Sequence, residues 1–400
     1  MRLGDICTKI GSGATPRGGK ESYKSSGIPI IRSQNVLDWS FKNDALAFID
    51  GKQAGALSNV EVLPGDVLLN ITGDSVARAC IVPVEQTPAR VNQHVAIVRH
   101  GDRLNPTYLL AFLQNIKPHL LSLASSGATR KALTKSMIEN LEIELPDIET
   151  QNRISSVINS VQQKIMLNIR LNGYLLQLTK IQLKDYLSRA KDTPLVSVGD
   201  YVGSMSNGAT PSRKNAAFWD DGNIPWVKTG EVNNGLILKT EEHVTRLALE
   251  KTSIKLLPVD TVIMALYGSG TAGRLGILQI EATTNQACTA MVCKSSIEAF
   301  YLFVTLQGMY RQIDNMTRGS VQQNLSKDLV AEIQIPRIPK QVLEEMGLAE
   351  YYAQIAVNMR ESDRLASIRD ALLPKLMSGE IDVSQIELPT PPNSHLSAGL

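Results

Sequence analysis

The stretch LGDICTKIGSGATPRGG at residues 3–19 returns as VGDYVGSMSNGATPSRK at residues 198–214, with the GAT triplet displaced by 195 positions. Taken alone, the first copy and the Lys20 that follows it resemble a glycine-rich phosphate cradle. A Walker A loop needs Gly, four residues, then Gly-Lys-Ser/Thr, so that lysine and hydroxyl reach phosphate and metal from fixed places. Here four residues lead from Gly13 to Gly18, the next residue is Gly19, and Lys20 precedes Glu21 where a hydroxyl is required. The register fails, and loops rich in Gly and Pro are ordinary turns far more often than phosphate sites. What the stretch carries is its own repetition.

The rest of the chain keeps the same displacement. GIPIIRSQNV is answered by NIPWVKTGEV, LPGDVLLNITG by LPVDTVIMALYG, VNQHVAIVR by TNQACTAMVC, and TYLLAFLQ by FYLFVTLQ. SSGATRKALTKSMIENLEIELP meets TRGSVQQNLSKDLVAEIQIP, and IMLNIRLN at 165 meets IAVNMRES at 355. The shift drifts only from 195 to 190, so one unit of about 190 residues is present in two diverged copies.

Each copy has two parts. Residues 1–147 and 193–337 are rich in short runs such as VLLNI, HVAIV and TVIMALY bounded by Gly, Pro and Asn, which predicts strands and turns, with one short helix in each at PTYLLAFLQN and EAFYLFVTLQGM. Residues 148–192 place Ile154, Ile158, Val161, Ile165, Ile169, Leu176, Leu183 and Leu187 at spacings that approximate one helical stripe. Residues 338–380 repeat it with Val342, Met346, Ala349, Ile355, Met359, Leu365, Ile368, Leu372 and Leu376, and Pro374 is expected to kink or end the last turns. A helix of about 40 residues is roughly 60 Å long, and its stripe must be buried. The nearest partner of similar length is the helix of the other copy. The expectation is an α+β chain: two β-rich domains at the ends of an antiparallel helical pair that acts as a spacer, related by a pseudo-twofold axis, with residues 381–400 as a flexible tail.

Bulk composition sets outer bounds. The 400 residues, 43% hydrophobic, suffice for two or three domains. No apolar run reaches the roughly 18 residues of a membrane span and the N-terminal segment has no apolar secretory core, so a cytoplasmic, membrane-free protein is expected. Cys7, Cys80, Cys288 and Cys293 form no C-x-x-C pair and have no flanking histidines, which predicts reduced thiols rather than zinc or disulfides. A net charge of +2 is uninformative, because nucleic-acid binding depends on a basic face that the total conceals. Locally, Arg99, Arg103, Lys117, Arg130, Lys131 and Lys135 face a single acid, Asp102.

Several motifs mislead. Gly268, Gly270 and Gly273 satisfy G-x-G-x-x-G, but a dinucleotide site needs a helix opening on the third glycine, and RLGILQIEATTNQ reads as a strand. The segment is expected to be a hairpin loop. NPTY at Asn105 resembles the Asn-Pro-Pro-Tyr loop of amino-methyltransferases, yet it lacks the second proline and the other copy has EAFY there; a helix entry with Asn105 as cap and Pro106 in the first turn is simpler. There is no H-E-x-x-H, no G-x-S-x-G and no carboxylate cluster with metal spacing, and the five histidines are dispersed. The chain reads as one that recognises rather than reacts.

Two similar domains on a spacer suit a bipartite ligand, and duplex DNA read at two half-sites is one. Arg and Lys suit guanine or phosphate, Asn and Gln adenine, and Thr phosphate or the thymine methyl. In the first copy the candidate loop residues are Thr15, Arg17, Lys20, Arg32, Gln34, Asn35, Thr72, Arg78, Thr129, Arg130 and Lys131. In the second they are Thr210, Arg213, Lys214, Lys228, Thr229, Glu231, Tyr267, Ser269, Thr271, Arg274, Gln322 and Gln323.

The order of domain, long helix, domain, long helix, with GATP openings, the twice-written closing motif and the terminal LASIRDALLPKLMSGEI, resembles the specificity subunit of type I restriction-modification enzymes over residues 1–380. The resemblance implies a DNA-binding subunit with target recognition domains and spacer helices, and no catalysis or cofactor of its own. It further implies docking of two methyltransferase subunits that use S-adenosylmethionine to methylate adenine N6. Two restriction subunits needing ATP and Mg2+ would complete the enzyme. Two other readings stay open at this point: a methyltransferase using the YGSGTAG loop, and a coiled-coil scaffold without a DNA role.

Overall fold

In the computed structural model, which describes residues 1–125, 131–268, 270–318 and 325–386, the apolar runs of the first copy build two sheets that share one core. Strands Cys7–Ser12, Val95–His100, Val67–Asn70 and Ala79–Ile81 stand in that order in an antiparallel sheet. Strands Ala47–Ile49, Ile28–Ile31, Ala89–Val91 and Glu61–Val62 make the other, in which Ile28–Ile31 and Ala89–Val91 run parallel. Successive side chains of a strand point to opposite faces. Leu68 and Ile97 therefore join Ile30, Ile31 and Val91 between the sheets, while Val67, Leu69 and Val98 turn to the helix Pro106–Asn115. Burial on both faces is why VLLN and VAIV read as unbroken apolar runs.

That helix begins where the cap predicts. Asn105 Oδ1 accepts from the amides of Thr107 (2.8 Å) and Tyr108 (3.1 Å), with Pro106 in the first turn. Its buried Tyr108 donates to the carbonyl of Glu144 at 2.9 Å, and Tyr301 makes the same bond to Pro336 in the second copy.

The second copy repeats the plan with one sheet enlarged. Ser204–Asn207, Cys288–Val292, Val262–Ala265, Leu275–Leu278 and Gly235–Ile237 form five strands, the last pairing parallel, and Glu242–Val244, Ile224–Val227 and Thr283–Thr284 form three. Val262–Ala265 and Leu275–Leu278 are antiparallel neighbours, so the glycines of GSGTAG serve a hairpin, as the strand-like sequence after them requires. What recurs is a set of hydrogen bonds as much as a set of letters. Leu133 N donates to Ile71 O (2.9 Å) and Leu325 N to Leu266 O (3.0 Å), and in the next turn Thr134 and Ser326 cap their short helices.

The chain divides into two compact units, Met1–Ile165 with Arg364–Leu400, and Met166–Asp363. The first long helix, Ile148–Arg189, is continuous. The second is not the single helix expected over 338–380. It is broken into Lys340–Glu345 and Leu348–Met377 at Gly347, whose φ of +75° is the left-handed conformation that closes helices. Past Pro374 the helix makes less than one more turn and ends at Met377. Most of the expected tail, residues 387–400, lies outside the described residues.

Inside each unit the helices pair antiparallel. In the second unit Asn168 Nδ2 donates to Glu361 Oε2 (2.8 Å) and Gln182 Nε2 to the Tyr351 hydroxyl (3.4 Å), so rising numbers meet falling ones. In the first, Ile154 and Ile158 share a core with Leu373, Leu376 and Val383, and Arg369 Nη1 donates to Gln162 Oε1 at 2.6 Å. Arg153 closes that unit by donating to the carbonyls of Val383, Ser384 and Ile386.

Candidate nucleic-acid interface

The GATP loops are clamped onto the sheets by one device used twice. A Cβ on Gly13 would lie 2.0 Å from Val91 O, and one on Gly208 2.2 Å from Thr284 O, so only glycine fits. The next amides use those carbonyls: Ala14 N donates to Val91 O (3.0 Å) and Ala209 N to Thr284 O (2.9 Å). Thr15 then donates to Gln93 Oε1 and Thr210 to Gln286 Oε1. GAT and the downstream NQ are thus two halves of one clamp, which explains why both recur with nearly the same displacement. The predicted thymine or phosphate contacts Thr15 and Thr210 are engaged in it, each with hydroxyl lone pairs left over.

Beyond the clamp the first copy scatters its cations. Arg17 is exposed, has no partner among the described residues, and shares a hollow with Lys52 and Gln53. The side chain of Lys20 lies outside the described residues, as do Thr129 and Arg130. Arg32 sits 5.5 Å from the centre of the Tyr23 ring and donates to Ala45 O, while its Nε is buried with no partner among the described residues. Exposed Gln34 reaches the same carbonyl at 3.3 Å. Thr72 bonds His94 Nδ1 at 2.6 Å; half-buried Arg78 and exposed Lys131 have no side-chain partner among the described residues. Asn35 corrects the expectation that it faces a ligand. It is 0% exposed, accepts from Arg32 N (3.1 Å) and donates to the carbonyls of Lys42 (2.9 Å) and Asp44 (3.3 Å). Its amide is spent on a tight turn.

The second copy gathers its cations instead. Arg213 Nη1 lies 2.5 Å from Glu242 Oε2, and its guanidinium stacks 3.6 Å from the centre of the Trp219 ring and 5.0 Å from that of Trp226. Lys228 Nζ reaches Glu241 at 2.8 Å and Glu242 at 3.0 Å. The Arg213 guanidinium, aided by Lys228, holds Glu242 below the usual carboxylate range, and Glu241 and Glu242 raise Lys228. Glu231, a predicted contact, caps its turn by accepting from the amides of Lys228 and Glu241, both at 2.7 Å. Lys214 is exposed and Thr229 half-buried. On the hairpin, Thr271 donates to Tyr267 O (3.2 Å) and Arg274 to Asn233 Oδ1 (3.4 Å). Ser269, Gln322 and Gln323 lie outside the described residues.

The strand registers make Trp219 the counterpart of Tyr23, since Ile224–Val227 answers Ile28–Ile31. Each copy therefore lays an arginine over an aromatic ring at the same place, but Arg32 comes from the turn after that strand and Arg213 from the GATP loop. Residue type at loops did not reveal Tyr23, Trp219, Trp226, Glu241 or Glu242. A signal existed: two of the chain's three tryptophans fall within WDDGNIPW. Among the described residues no group of three or more His, Cys, Asp and Glu could hold a metal ion, and no helix is long and apolar enough to cross a membrane.

Comparison with known proteins agrees with the repeat. A family model described as type I restriction modification DNA specificity domain matches residues 1–175 and 192–365. The type I restriction enzyme MjaIX specificity subunit of Methanocaldococcus jannaschii is 21% identical, with 94% of this chain and 92% of the relative covered. The EcoR124I/EcoR124II specificity subunit of Escherichia coli is 27% identical over 35% of this chain and 36% of its own length. Among solved structures, the type I restriction-modification S subunit from M. genitalium superposes with a TM-score of 0.53 at 13% identity, covering 94% and 95% of the two chains, a likeness of fold.

Proposed function

Because this chain belongs to the type I restriction-modification DNA specificity family and is its sequence-recognition subunit, we propose that each unit reads one half of a bipartite duplex target. The observation that carries this is the clamp followed by divergence. Gly13 and Gly208 anchor the same backbone, while the charged and aromatic side chains set on it differ between copies. A shared scaffold gives both domains one docking geometry; different side chains give each its own base preference.

The subunit supplies recognition, and the chemistry belongs to partners: methyltransferase subunits that bind S-adenosylmethionine and methylate adenine N6, and restriction subunits that use ATP and Mg2+, two of each, in the cytoplasm. We assign the methyltransferase to a surface of the first long helix. On the first long helix Leu167, Leu171, Tyr174, Leu178 and Ile181, at spacings of four and three residues, are 39 to 64% exposed. This second apolar stripe suits a partner helix laid along it.

Mapping adenine methylation in cells that express the chain with its methyltransferase tests the reading. A split motif, half of which changes when one globular unit is exchanged, supports it. A continuous motif unaffected by exchange of either unit refutes it.

A further inference from the structure

Four charged side chains in the second recognition domain form an arrangement not found among the described residues of the first. Glu242 bridges Arg213 and Lys228, one carboxylate oxygen to each, at 2.5 and 3.0 Å, and Lys228 also holds Glu241 at 2.8 Å. A carboxylate shared between a guanidinium and an ammonium occupies the place a phosphate oxygen pair takes between the same groups. The strand register sets Glu242 against Trp226, as Ala47 is set against Ile30 in the first domain, and Leu46 and Ala47 stand where Glu241 and Glu242 stand. The first domain's Arg17 is correspondingly without an ion-pair partner among the described residues.

We propose that Glu242 is a built-in competitor for DNA: a phosphate mimic that occupies Arg213 and Lys228 until a correct half-site displaces it. The proposal rests on the reading that this loop faces DNA. Contact with a phosphate is the sequence-independent part of binding. In the second domain such a contact must first break the Glu242 bridge, so a wrong sequence gains little. A right one adds base-edge contacts and exceeds that cost. The cost falls on right and wrong complexes alike, so it does not widen their affinity ratio; it keeps sequence-independent binding weak, and the chain leaves wrong DNA quickly. Trp219 keeps the guanidinium stacked at 3.6 Å from its ring centre, so the freed arginine turns about a fixed platform. Glu242 is a positioning residue in this scheme and touches no base.

The test uses the full chain assembled with its methyltransferase and two probes: a duplex carrying the mapped target, and that duplex with the second half-site scrambled. Glu242→Gln should bind the scrambled duplex about three- to tenfold tighter, the scale of a partly exposed ion pair. Its salt dependence should steepen by about one to two in log-log slope as Arg213 and Lys228 take up phosphates. The correct duplex should tighten by at least a similar factor, so the ratio between the two duplexes does not fall, and reading of the first half-site is unchanged. Glu242→Asp, which keeps the charge, should stay close to the parent. Unchanged or weaker binding of Glu242→Gln to the scrambled duplex overturns the proposal. Arg213→Ala separates the two failures: if it alters binding to neither duplex, the loop does not face DNA and the interface reading fails. If it weakens binding while Glu242→Gln changes nothing, only the competitor role is lost.

Discussion

Asn168 and Asn358 hold the same place in the two copies and meet each other, Asn168 Nδ2 lying 3.3 Å from Asn358 O. Their further bonds go to equivalent positions. Asn168 donates to Ser362 at 3.3 Å and Asn358 to Asn172 at 2.8 Å, and Ser362 is the counterpart of Asn172. A residue that contacts its own equivalent, with flanking pairs exchanged, is the mark of a two-fold interface. Both asparagines are buried, at 2% and 3% exposure, where the two long helices meet. A buried polar pair of this kind sets register, because any slip leaves its amides without partners.

Asn168→Leu should therefore destabilise the second unit by about 1–3 kcal/mol, the cost of stranding buried polar groups. Asn172→Leu with Asn358→Leu should cost less than the sum of those single changes, since Asn358 Nδ2 donates to Asn172 Oδ1 at 2.8 Å and neither side-chain amide then lacks its mate. Urea unfolding of the double variant and its two single variants measures the coupling; strict additivity would mean the pair does not act as a unit.

Gly208→Ala should place a methyl group on the backbone of Thr284 and push the loop off its clamp. The expected result is a loss of about 1–3 kcal/mol of stability, typical of overpacking. Methylation should lose selectivity at the second half-site alone. Gly13→Ala should do the same at the first. A footprint and methylation profile identical to the parent would show that the clamp does not govern recognition.

Leu171→Asp and Tyr174→Asp should leave unfolding of the isolated chain within about 0.5 kcal/mol, as expected of exposed positions. Association with the methyltransferase, read by sedimentation of the mixture, should weaken at least about tenfold. Retained association would move the docking surface elsewhere.

Glu242 titrates below its ordinary range because Arg213 and Lys228 favour its charged form. A folded-state value below the unfolded one gives a stabilisation fully present above the unfolded value and lost as pH falls through the folded value. The Tm difference between the parent and Glu242→Gln should be constant above about pH 5 and disappear in more acid solution. A difference that grows on acidification would contradict the ion-pair assignment.

The architecture was legible because duplication copies what a fold cannot change. Gly13 and Gly208 have no room for a side chain, Asn105 is spelled as a helix cap, and VLLN and VAIV are apolar because both faces are covered. Letters alone misplace detail. Matching LPGD to LPVD sets Asp66 against Asp260, whereas the strands set Gly65 against Asp260, both at positive φ, +84° and +66°. The break at Gly347 was hidden because the apolar spacing continues across it. The site was less legible still. Asn35 has the right chemistry for adenine, and only the fold shows its amide turned inward. Glu242 lies 29 residues from Arg213 in sequence, and the ion pair between them arises from strand pairing, which no local pattern encodes.

Arg153 holding the carbonyls of Val383, Ser384 and Ile386 bears on how the protein is made. A ribosome delivers the chain from its amino end, so residues 1–165 emerge long before the segment that completes their unit. Ile154 and Ile158 lack part of their cover until Leu373, Leu376 and Val383 are synthesised, while residues 166–363 form an uninterrupted stretch that is complete first. The unit that is written first is finished last, and a nascent chain stalled before Leu373 would carry one mature reader and one with its flank open.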